Sequence, residues 1–390
     1  MQSFLRRAAL MLGNVVIGLS VLAPTGMLAE LADGLHVSIS DAGLLVTYGA
    51  VVLCIGSPLV AWLTAHFDRR LLLVGSLALV TVGQAASALA PNYASVLVVR
   101  LIMLAAAAVY TPQAAATAAM IVPERERASA IAFVFLGWTL AIAAGLPLVT
   151  LLATHFGWRT AFGMLALFSV CATLLLVTAL PSGLQGRAMP LASFAAIVRS
   201  RRILLILLLT LLQTSGQFIV FVYLAPLLTR LTGAGAGIIG AFFACYGVAG
   251  LFGNVTASAA VTALGIQRTL ALFLGATFVG LILWSAGAGL LIVMGAGMAF
   301  WGFGFAATNS MQQARLAQAA PEFAGVAISF NTSVLYTGQA VGSGIGGLLF
   351  AAGFLHAMGY VGVAFVASAC VLLALTWVRE APFVQASGAP

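Results

Sequence analysis

The sequence predicts an all-α membrane protein with twelve transmembrane helices, arranged as two parallel repeats of six. Of its 390 residues, 63% are hydrophobic and only 6% are charged, whereas about a quarter of the residues in a soluble domain are charged. Long apolar runs recur along the chain, and landmarks in its first half return in the second half at a fixed offset. The composition therefore indicates a lipid environment, and the repeat indicates two related halves.

The apolar runs divide at charged residues, prolines and glycines into twelve segments, each near the roughly 20 residues that cross a bilayer as a helix. We do not interpret the first run as a signal peptide, because it is long enough to span and similar runs follow it. The predicted spans are 8–29, 42–65, 71–90, 95–120, 129–154, 159–180, 203–229, 236–262, 269–287, 289–313, 323–352 and 358–378.

One long polar interruption, residues 181–202, separates the sixth span from the seventh. It is rich in the turn-forming residues proline and glycine. We interpret it as a cytoplasmic linker, so the N-terminal half is predicted to cover residues 1–180 and the C-terminal half residues 203–390.

All sixteen basic residues are arginines, and their distribution predicts the orientation of the helices. With the N-terminus inside, thirteen arginines fall in cytoplasmic segments, while only Arg159 and Arg230 fall outside. Cytoplasmic loops of membrane proteins are enriched in positive residues, so both termini are expected on the cytoplasmic side of a bacterial inner membrane. The net charge of +8 is not gathered in a soluble patch that would indicate nucleic-acid binding.

The two halves share landmarks at an offset of 198 residues. Tyr48-Gly49 in the second span lies 22 residues before Arg70, and Tyr246-Gly247 in the eighth span lies 22 residues before Arg268. Parallel six-helix repeats place the substrate site between the halves, near the middle of the bilayer. We therefore expect a central site.

Short motifs appear in order along this repeat. The first is a segment that begins at Gly56, near the end of the second span, and ends at Asp68-Arg69-Arg70, before the third. Arg100 follows in the fourth span, and Gly137, Gly145 and Pro147 follow in the fifth. In this order and spacing, they resemble the motifs of the major facilitator superfamily. The likeness is greatest to its twelve-helix drug:proton antiporters of the arabinose-efflux-permease type.

The resemblance implies a secondary transporter that exports small molecules by alternating access, with proton antiport as the energy source. It implies membership of a group associated with multidrug resistance, in which spans 1, 4, 7 and 10 line the central cavity. The expected partners are a small-molecule substrate, protons and the lipid bilayer. No cofactor is expected, and the chain is expected to act as a monomer.

Asp68, Arg69 and Arg70 lie in a short cytoplasmic loop. An aspartate there can accept hydrogen bonds from helix N-terminal amides and pair with an arginine. A contact of this kind that breaks in one conformation would act as a gate. The alternative is a solvated loop charge that only sets topology. At the repeat offset the second half has Ile266 instead, so any gate is expected to be asymmetric.

Arg100 lies about six residues inside the fourth span, where its repeat counterpart is Met298. An arginine at the centre of a membrane helix costs about 2.5–3.5 kcal/mol, and less near an interface. We expect it either to hold an anionic substrate group or to tune a proton site. The alternative is a side chain that snorkels to the membrane surface.

Polar and aromatic residues share one helical face in three of the spans expected to line the cavity. They are Asn14 and Thr25 in the first span, Gln213, Gln217 and Phe221 in the seventh, and Trp301, Phe305 and Asn309 in the tenth; Asn331 and Gln339 in the eleventh are further candidates. Each alone is more often an interhelical hydrogen bond than a ligand. As a set, amides and aromatic rings suit a neutral or amphipathic compound.

Small residues at four-residue spacing occur in the fifth span, including Gly137 and Gly145, and in the eleventh. Such spacing allows backbones to approach closely. The resemblance implies that these helices form moving contacts between the halves, and ordinary tight packing is the alternative.

None of the eight acidic residues lies deep in a predicted span. Relatives often carry a carboxylate midway along the first span, where this chain has Val21. If protons are coupled, the candidates are Glu30 at the end of the first span and Asp41 at the start of the second, because desolvation there would raise their pKa values. The alternative is that both are ordinary helix-end residues.

Other classes of protein lack support in the sequence. No aspartate pair suits a metal–diphosphate enzyme, and no Walker A loop suits an ATP-driven pump. The four cysteines are far apart in apolar runs, so no metal site is expected. An importer or an uncoupled facilitator of the same fold remains as the alternative, and the sequence leaves the identity of the substrate open.

Overall fold

The computed structural model describes residues 2–64, 67–184, 197, 199–321 and 324–377, and these form an all-helical protein. In the first half the helices are α1 (Gln2–Gly26), α2 (Leu28–Gly34), α3 (Ile39–Leu63), α4 (Arg69–Leu89), α5 (Tyr93–Met120), α6 (Arg127–Leu140), α7 (Leu146–Phe156) and α8 (Trp158–Ala179). In the second half they are α9 (Arg201–Phe221), α10 (Leu224–Thr232), α11 (Ala236–Ala286), α12 (Leu291–Ala319), α13 (Ala324–Ala351) and α14 (Leu355–Leu375).

Eleven helices in the described chain are long and apolar enough to cross a membrane. One of them, α11, has 51 residues and a length of roughly 75 Å, more than twice the hydrocarbon thickness of a bilayer. It is bent at Gly265, whose φ of 76° is non-helical and is accessible to glycine at little cost. The bend lies between predicted spans eight and nine, so the fold of twelve crossings is confirmed.

The first span differs from its prediction. Helix α1 begins at Gln2 and ends at Gly26, and the separate helix α2 follows a break at Met27. The predicted span of 8–29 omitted the arginine-containing first turns, because apolar content marks only the part of a helix that lies in lipid.

Each half packs mainly on itself, and two pairs of spans join the halves. Helix α3, the second span, packs on α13, the eleventh; α6 and α7, the fifth span, pack on the first part of α11, the eighth. The two contacts are equivalent under the repeat, because spans two and five correspond to spans eight and eleven. Of the predicted linker, residues 185–196 and 198 lie outside the described residues, and the domain boundaries stay a prediction.

Candidate functional site

A cavity of about 650 Å³ lies between the two halves. We call the two faces of the protein inner and outer, following the arginine distribution. The cavity reaches the inner face, because Arg7, Ser129, Ser258 and Gln313, near the inner ends of their helices, line it. It is therefore an inward-open space.

The outer side of the cavity is closed by contacts between α3 and α13. From the outer end inward, Ser40 Oγ donates to the Gly347 carbonyl at 3.0 Å, Thr47 Oγ1 lies 2.8 Å from Ser343 Oγ, and Cys54 Sγ lies 3.0 Å from Thr337 Oγ1. These three contacts cross from one half to the other. They would have to break for the cavity to open outward.

A second closure joins the fifth and eighth spans. The backbone between α6 and α7 forms a π-helical turn, Ala141–Gly145, just before Pro147. Proline has no N–H to bond the carbonyl four residues earlier, and single π turns inside α-helices often mark functional sites. A Cβ added at Gly247 of α11 would lie 2.5 Å from the Ala143 backbone, so only glycine fits against this turn.

Aromatic rings form one wall of the cavity. The Phe221 and Tyr246 ring centroids are 4.9 Å apart, and those of Tyr246 and Phe305 are 6.2 Å apart. Behind them, Gln217 Oε1 accepts hydrogen bonds from Trp301 Nε1 at 2.5 Å and from the Tyr246 hydroxyl at 3.3 Å. Trp301 is fully buried. Phe221 and Phe305 thus line the cavity, whereas Gln217 and Trp301 support its wall.

Amide side chains form another part of the lining. Asn309, Asn331 and Gln339 all line the cavity. Asn309 Oδ1, Asn331 Nδ2 and Gln339 Nε2 are buried and have no hydrogen-bond partner in the described structure. Because buried polar groups are normally hydrogen-bonded, these three atoms are candidates to bind a ligand. Asn254, which also lines the cavity, was not among the predicted residues, although an amide in an apolar span is a signal that sequence reasoning can use.

The remaining predicted cavity residues lie inside the helix bundles. Asn14 donates to the Val134 carbonyl at 2.9 Å and accepts a bond of 2.6 Å from Thr111 Oγ1, so it holds a cavity-lining threonine from behind. Thr25 and Gln213 are fully buried, and neither the Thr25 hydroxyl nor the Gln213 amide has a partner in the described chain. A shared helical face does not distinguish the cavity from the adjacent bundle interior.

Arg100 is fully buried inside the first half. Its Nη2 donates to the Ser20 carbonyl at 3.0 Å, and its guanidinium lies 6.0 Å from the Phe162 ring centroid. Nε and Nη1 have no partner in the described structure. This burial does not fit a side chain that snorkels to the surface, and the residue does not line the cavity in this conformation.

The loop motif ties together parts of the first half. Asp68 caps α4 by accepting a hydrogen bond from Leu71 N at 3.1 Å, and it accepts another from Gly183 N at 2.5 Å. These backbone donors, Leu71 foremost, hold the pKa of Asp68 below its ordinary value. Arg70 Nη2 donates to the Val177 carbonyl at 2.7 Å.

The neighbouring members of this motif also face their own half. The Arg69 guanidinium donates to Gln113 of α5. A Cβ at Gly56 would lie 3.1 Å from the Ala108 Cβ, so α3 and α5 pack closely there. These contacts of the loop motif join residues of the first half to one another and, at Gly183, to the chain that directly follows the sixth span.

The helix-5 motif divides between two roles. A Cβ at Gly137 would lie 2.5 Å from the Met11 carbonyl oxygen, and a Cβ at Gly145 would overlap Leu19, so both glycines pack against α1. Pro147 instead faces Gly240 of α11 across the two halves. The close approach within one half and the contact between halves are therefore made by different members of the motif.

Glu30 and Asp41 lie at the outer end of the first half. Thr154 Oγ1 donates to Glu30 Oε1 at 2.6 Å, and Ser38 Oγ donates to Asp41 Oδ2 at 2.6 Å. The Tyr93 hydroxyl donates to the Asp41 carbonyl at 2.8 Å. No carboxylate lines the cavity in the part of the chain that the structure describes.

Comparison with known proteins gives consistent matches over nearly the whole chain. The profile of the Major Facilitator Superfamily matches residues 10–342. The inner membrane transport protein YdhP of Escherichia coli (strain K12) is 30% identical over 374 residues, which are 96% of each chain. A probable sugar efflux transporter of Helicobacter pylori is 27% identical over 357 residues, which cover 91% of this chain and 90% of that protein.

Solved structures share the fold. The crystal structure of a D-xylose-proton symporter aligns with a TM-score of 0.78 at 17% identity, covering 96% of this chain and 97% of that one. A partially occluded inward-open conformation of the xylose transporter XylE from E. coli aligns with a TM-score of 0.73 at 15% identity, covering 96% of this chain and 97% of that one.

Proposed function

Since the chain belongs to the major facilitator superfamily and is a secondary transporter of small molecules, we propose that it exports a small neutral hydroxylated molecule, of the sugar class, from the cytoplasm. The observation that carries this proposal is the set of three buried, unpartnered amide atoms beside an aromatic wall in one inward-open cavity. Amides can donate to and accept from hydroxyl groups, and aromatic rings offer apolar faces for the C–H side of a sugar.

The size and charge of the cavity support this class of substrate. A volume of about 650 Å³ lies within the roughly 300–1,000 Å³ of small-ligand sites. Among the described lining residues the only charged one is Arg7, at the inner mouth. Neither a cationic drug nor an acidic metabolite would find a counter-charge deep in this space. Sugar efflux is also the activity named for some relatives, including the H. pylori protein.

The proposed driving force is proton antiport across a bacterial inner membrane, with both termini in the cytoplasm. Glu30 and Asp41 are the carboxylates that could move protons at the outer end. Uncoupled, facilitated export is the second candidate, because no carboxylate lines the cavity in the described residues.

The test is direct binding of sugars to purified protein. A panel of labelled neutral sugars, cationic drugs and organic acids is compared, and a sugar or polyol is expected to bind best. Asn331→Leu is expected to weaken its binding about tenfold, because a hydrogen bond to the ligand is lost. Gln84→Leu is the matched control, since this buried amide donates to Ser20 in the first half and does not line the cavity. Preferred binding of a charged compound, or equal effects of both variants, would contradict the proposal.

A further inference from the structure

A second pocket, of about 510 Å³, opens at the inner face of the C-terminal half. It is bounded by the start of α9, the bend of α11 and the ends of α12 and α14. Three arginines line it, Arg201, Arg202 and Arg315, and no carboxylate does in the described part of the chain. This pocket is separate from the substrate cavity, because the two share no lining residue.

The charge at this pocket has two sources. Arg201 and Arg202 form the first turn of α9 and are exposed, and Ser200 caps this helix with its side chain. A helix N-terminus carries a partial positive charge, which adds to that of the arginines. Arg315, only 8% exposed, contributes a guanidinium from the deeper side. The pocket is therefore shaped and charged to hold an anion.

The opposite wall is apolar and faces the lipid. Leu372 and Leu375, near the end of α14, line the pocket, and Leu375 is 80% exposed. In a membrane protein, exposed leucines on a spanning helix lie against acyl chains. An anion that fills the pocket can thus keep an attached hydrocarbon chain in the bilayer.

One buried polar atom also faces this space. Gln267 is 5% exposed and lines the pocket, and its Oε1 has no hydrogen-bond partner in the described structure. An unpaired buried acceptor costs free energy unless a ligand supplies a donor. A glycerol headgroup carries hydroxyl donors beside its phosphate, so it satisfies both the arginines and this oxygen.

We propose that the pocket between Arg201, Arg202, Arg315 and Gln267 binds the headgroup of an anionic phospholipid of the phosphatidylglycerol class. Arginine suits this role because its planar fork matches phosphate oxygens. Basic pockets between membrane helices on the cytoplasmic side are suited to such headgroups. The phosphate lies against the arginines, the glycerol reaches Gln267, and the acyl chains run along Leu372 and Leu375.

A hydrogen-bonded chain leads from this pocket to the substrate cavity. Arg315 Nη1 donates to Gln312 Oε1 at 3.0 Å, and Gln312 Nε2 donates to Thr210 Oγ1 at 3.1 Å. Thr210 Oγ1 in turn donates to Asn331 Oδ1 at 2.8 Å, and Asn331 lines the cavity. Lipid bound at Arg315 can therefore influence the orientation of a cavity amide.

The test measures lipid binding to the purified protein in neutral detergent, by native mass spectrometry and by the thermal midpoint of unfolding. Phosphatidylglycerol is expected to bind and raise the midpoint, whereas phosphatidylcholine and free glycerol 3-phosphate are not. The double variant Arg201→Gln/Arg202→Gln is expected to bind phosphatidylglycerol about 25-fold more weakly, at about a factor of five per surface arginine. Both arginines are exposed, so the variant should fold.

A matched double variant, Arg6→Gln/Arg127→Gln, removes two inner-face arginines of the first half that do not line the pocket, and it should bind the lipid normally. Gln267→Leu should weaken binding of phosphatidylglycerol while leaving that of phosphatidic acid, which lacks the glycerol hydroxyls. Equal weakening in both arginine pairs would show general charge attraction and overturn the proposal. Binding of free glycerol 3-phosphate as tight as that of the lipid would replace it with a soluble-anion site.

Discussion

At the scale of single residues, burial and hydrogen bonding distinguish residues of the same type that occupy similar positions in the sequence. Arg7 in α1 and Arg100 in α5 both belong to helices of the first half. Arg100 is fully buried, whereas Arg7 lines the inner mouth of the cavity. Asp68 and Asp41 both lie at helix N-termini, but Asp68 also accepts a hydrogen bond from Gly183, in the chain that follows the sixth span, whereas Asp41 is bonded only within its own helix start in the described contacts of its carboxylate.

Asp68→Asn is expected to reduce transport about tenfold or more with normal membrane insertion, because an amide NH₂ cannot accept the bond from Gly183 N. The backbone donors lower the pKa of Asp68, so the charged contact is present at neutral pH and is lost only as the pH falls through that lowered value. Whole-cell efflux of an identified sugar measures the effect. The control is Arg268→Gln, at the equivalent turn of the second half, which should matter less; unchanged efflux in Asp68→Asn would remove the gate hypothesis.

Arg100→Lys is expected to lower transport about tenfold at equal expression. The guanidinium is fully buried with one bond to the Ser20 carbonyl and two nitrogens without partners in the described structure, and an ammonium cannot reproduce that planar set of donors. Efflux and thermal stability are measured together. Full activity of the lysine variant would mean that only the positive charge is needed there.

At the scale of helices, the outer closure depends on close approach around one tyrosine. The Tyr223 hydroxyl donates to the Ser343 carbonyl at 3.2 Å, and its ring stacks on Phe350 with centroids 5.5 Å apart. A Cβ at Gly43 of α3 would overlap this hydroxyl, and a Cβ at Gly347 would lie 2.7 Å from it. The second and eleventh spans pack this closely around Tyr223 because both positions lack side chains, and a larger residue at either would force the tyrosine ring to move.

Gly43→Leu is therefore expected to hold the outer side open. The measurement is labelling of Cys54, which lies at the contact between the halves, by a membrane-impermeant thiol reagent added from outside, with the other three cysteines replaced by serine. Labelling should rise several-fold over that of the parent protein, since Cys54 is half-buried and its thiol stays against Thr337 Oγ1 until the contact parts. Gly75→Leu serves as the control, because nothing lies within 4 Å of a Cβ there. Equal labelling of both variants would show that Tyr223 does not control closure.

At the scale of the whole molecule, proton coupling would require a carboxylate outside the described cavity lining, which contains none. An imposed pH gradient across liposomes containing the protein is expected to drive export of the sugar. Glu30→Gln and Asp41→Asn together should abolish that dependence, while exchange of sugar without a gradient continues. A protein that ignores the gradient is a facilitator, and a gradient response that survives both substitutions would exclude these two residues.

The lipid pocket and the cavity are linked through Gln312, and this too is a property of the whole molecule. In liposomes, sugar transport is expected to rise with the fraction of phosphatidylglycerol. Gln312→Leu should flatten this response while leaving lipid binding unchanged, because it removes the link between Arg315 and Thr210. A response of undiminished size in this variant would show that the chain of hydrogen bonds carries no coupling.

The sequence by itself was enough for the twelve crossings, their parallel repeat and the membership of the family. These follow from one-dimensional properties: apolar length matched to the bilayer and motifs at constant offset. The junction near Gly265 was predicted within a few residues for the same reason, because a break in apolar character coincides with the bend of α11.

Only the tertiary structure decided which of the predicted polar and aromatic residues line the cavity. Phe221, Phe305, Asn309 and Asn331 line it, whereas Asn14, Thr25, Gln213 and Trp301 are fully buried among the helices and do not line it. Helical periodicity identifies a face shared by neighbouring side chains, but a helix between the cavity and its own bundle has two buried sides. The side that faces the cavity is determined by the packing of helices that are distant in sequence. The pocket of Arg201, Arg202 and Arg315 could not be predicted from the sequence for the same reason, because it forms where the ends of such helices meet.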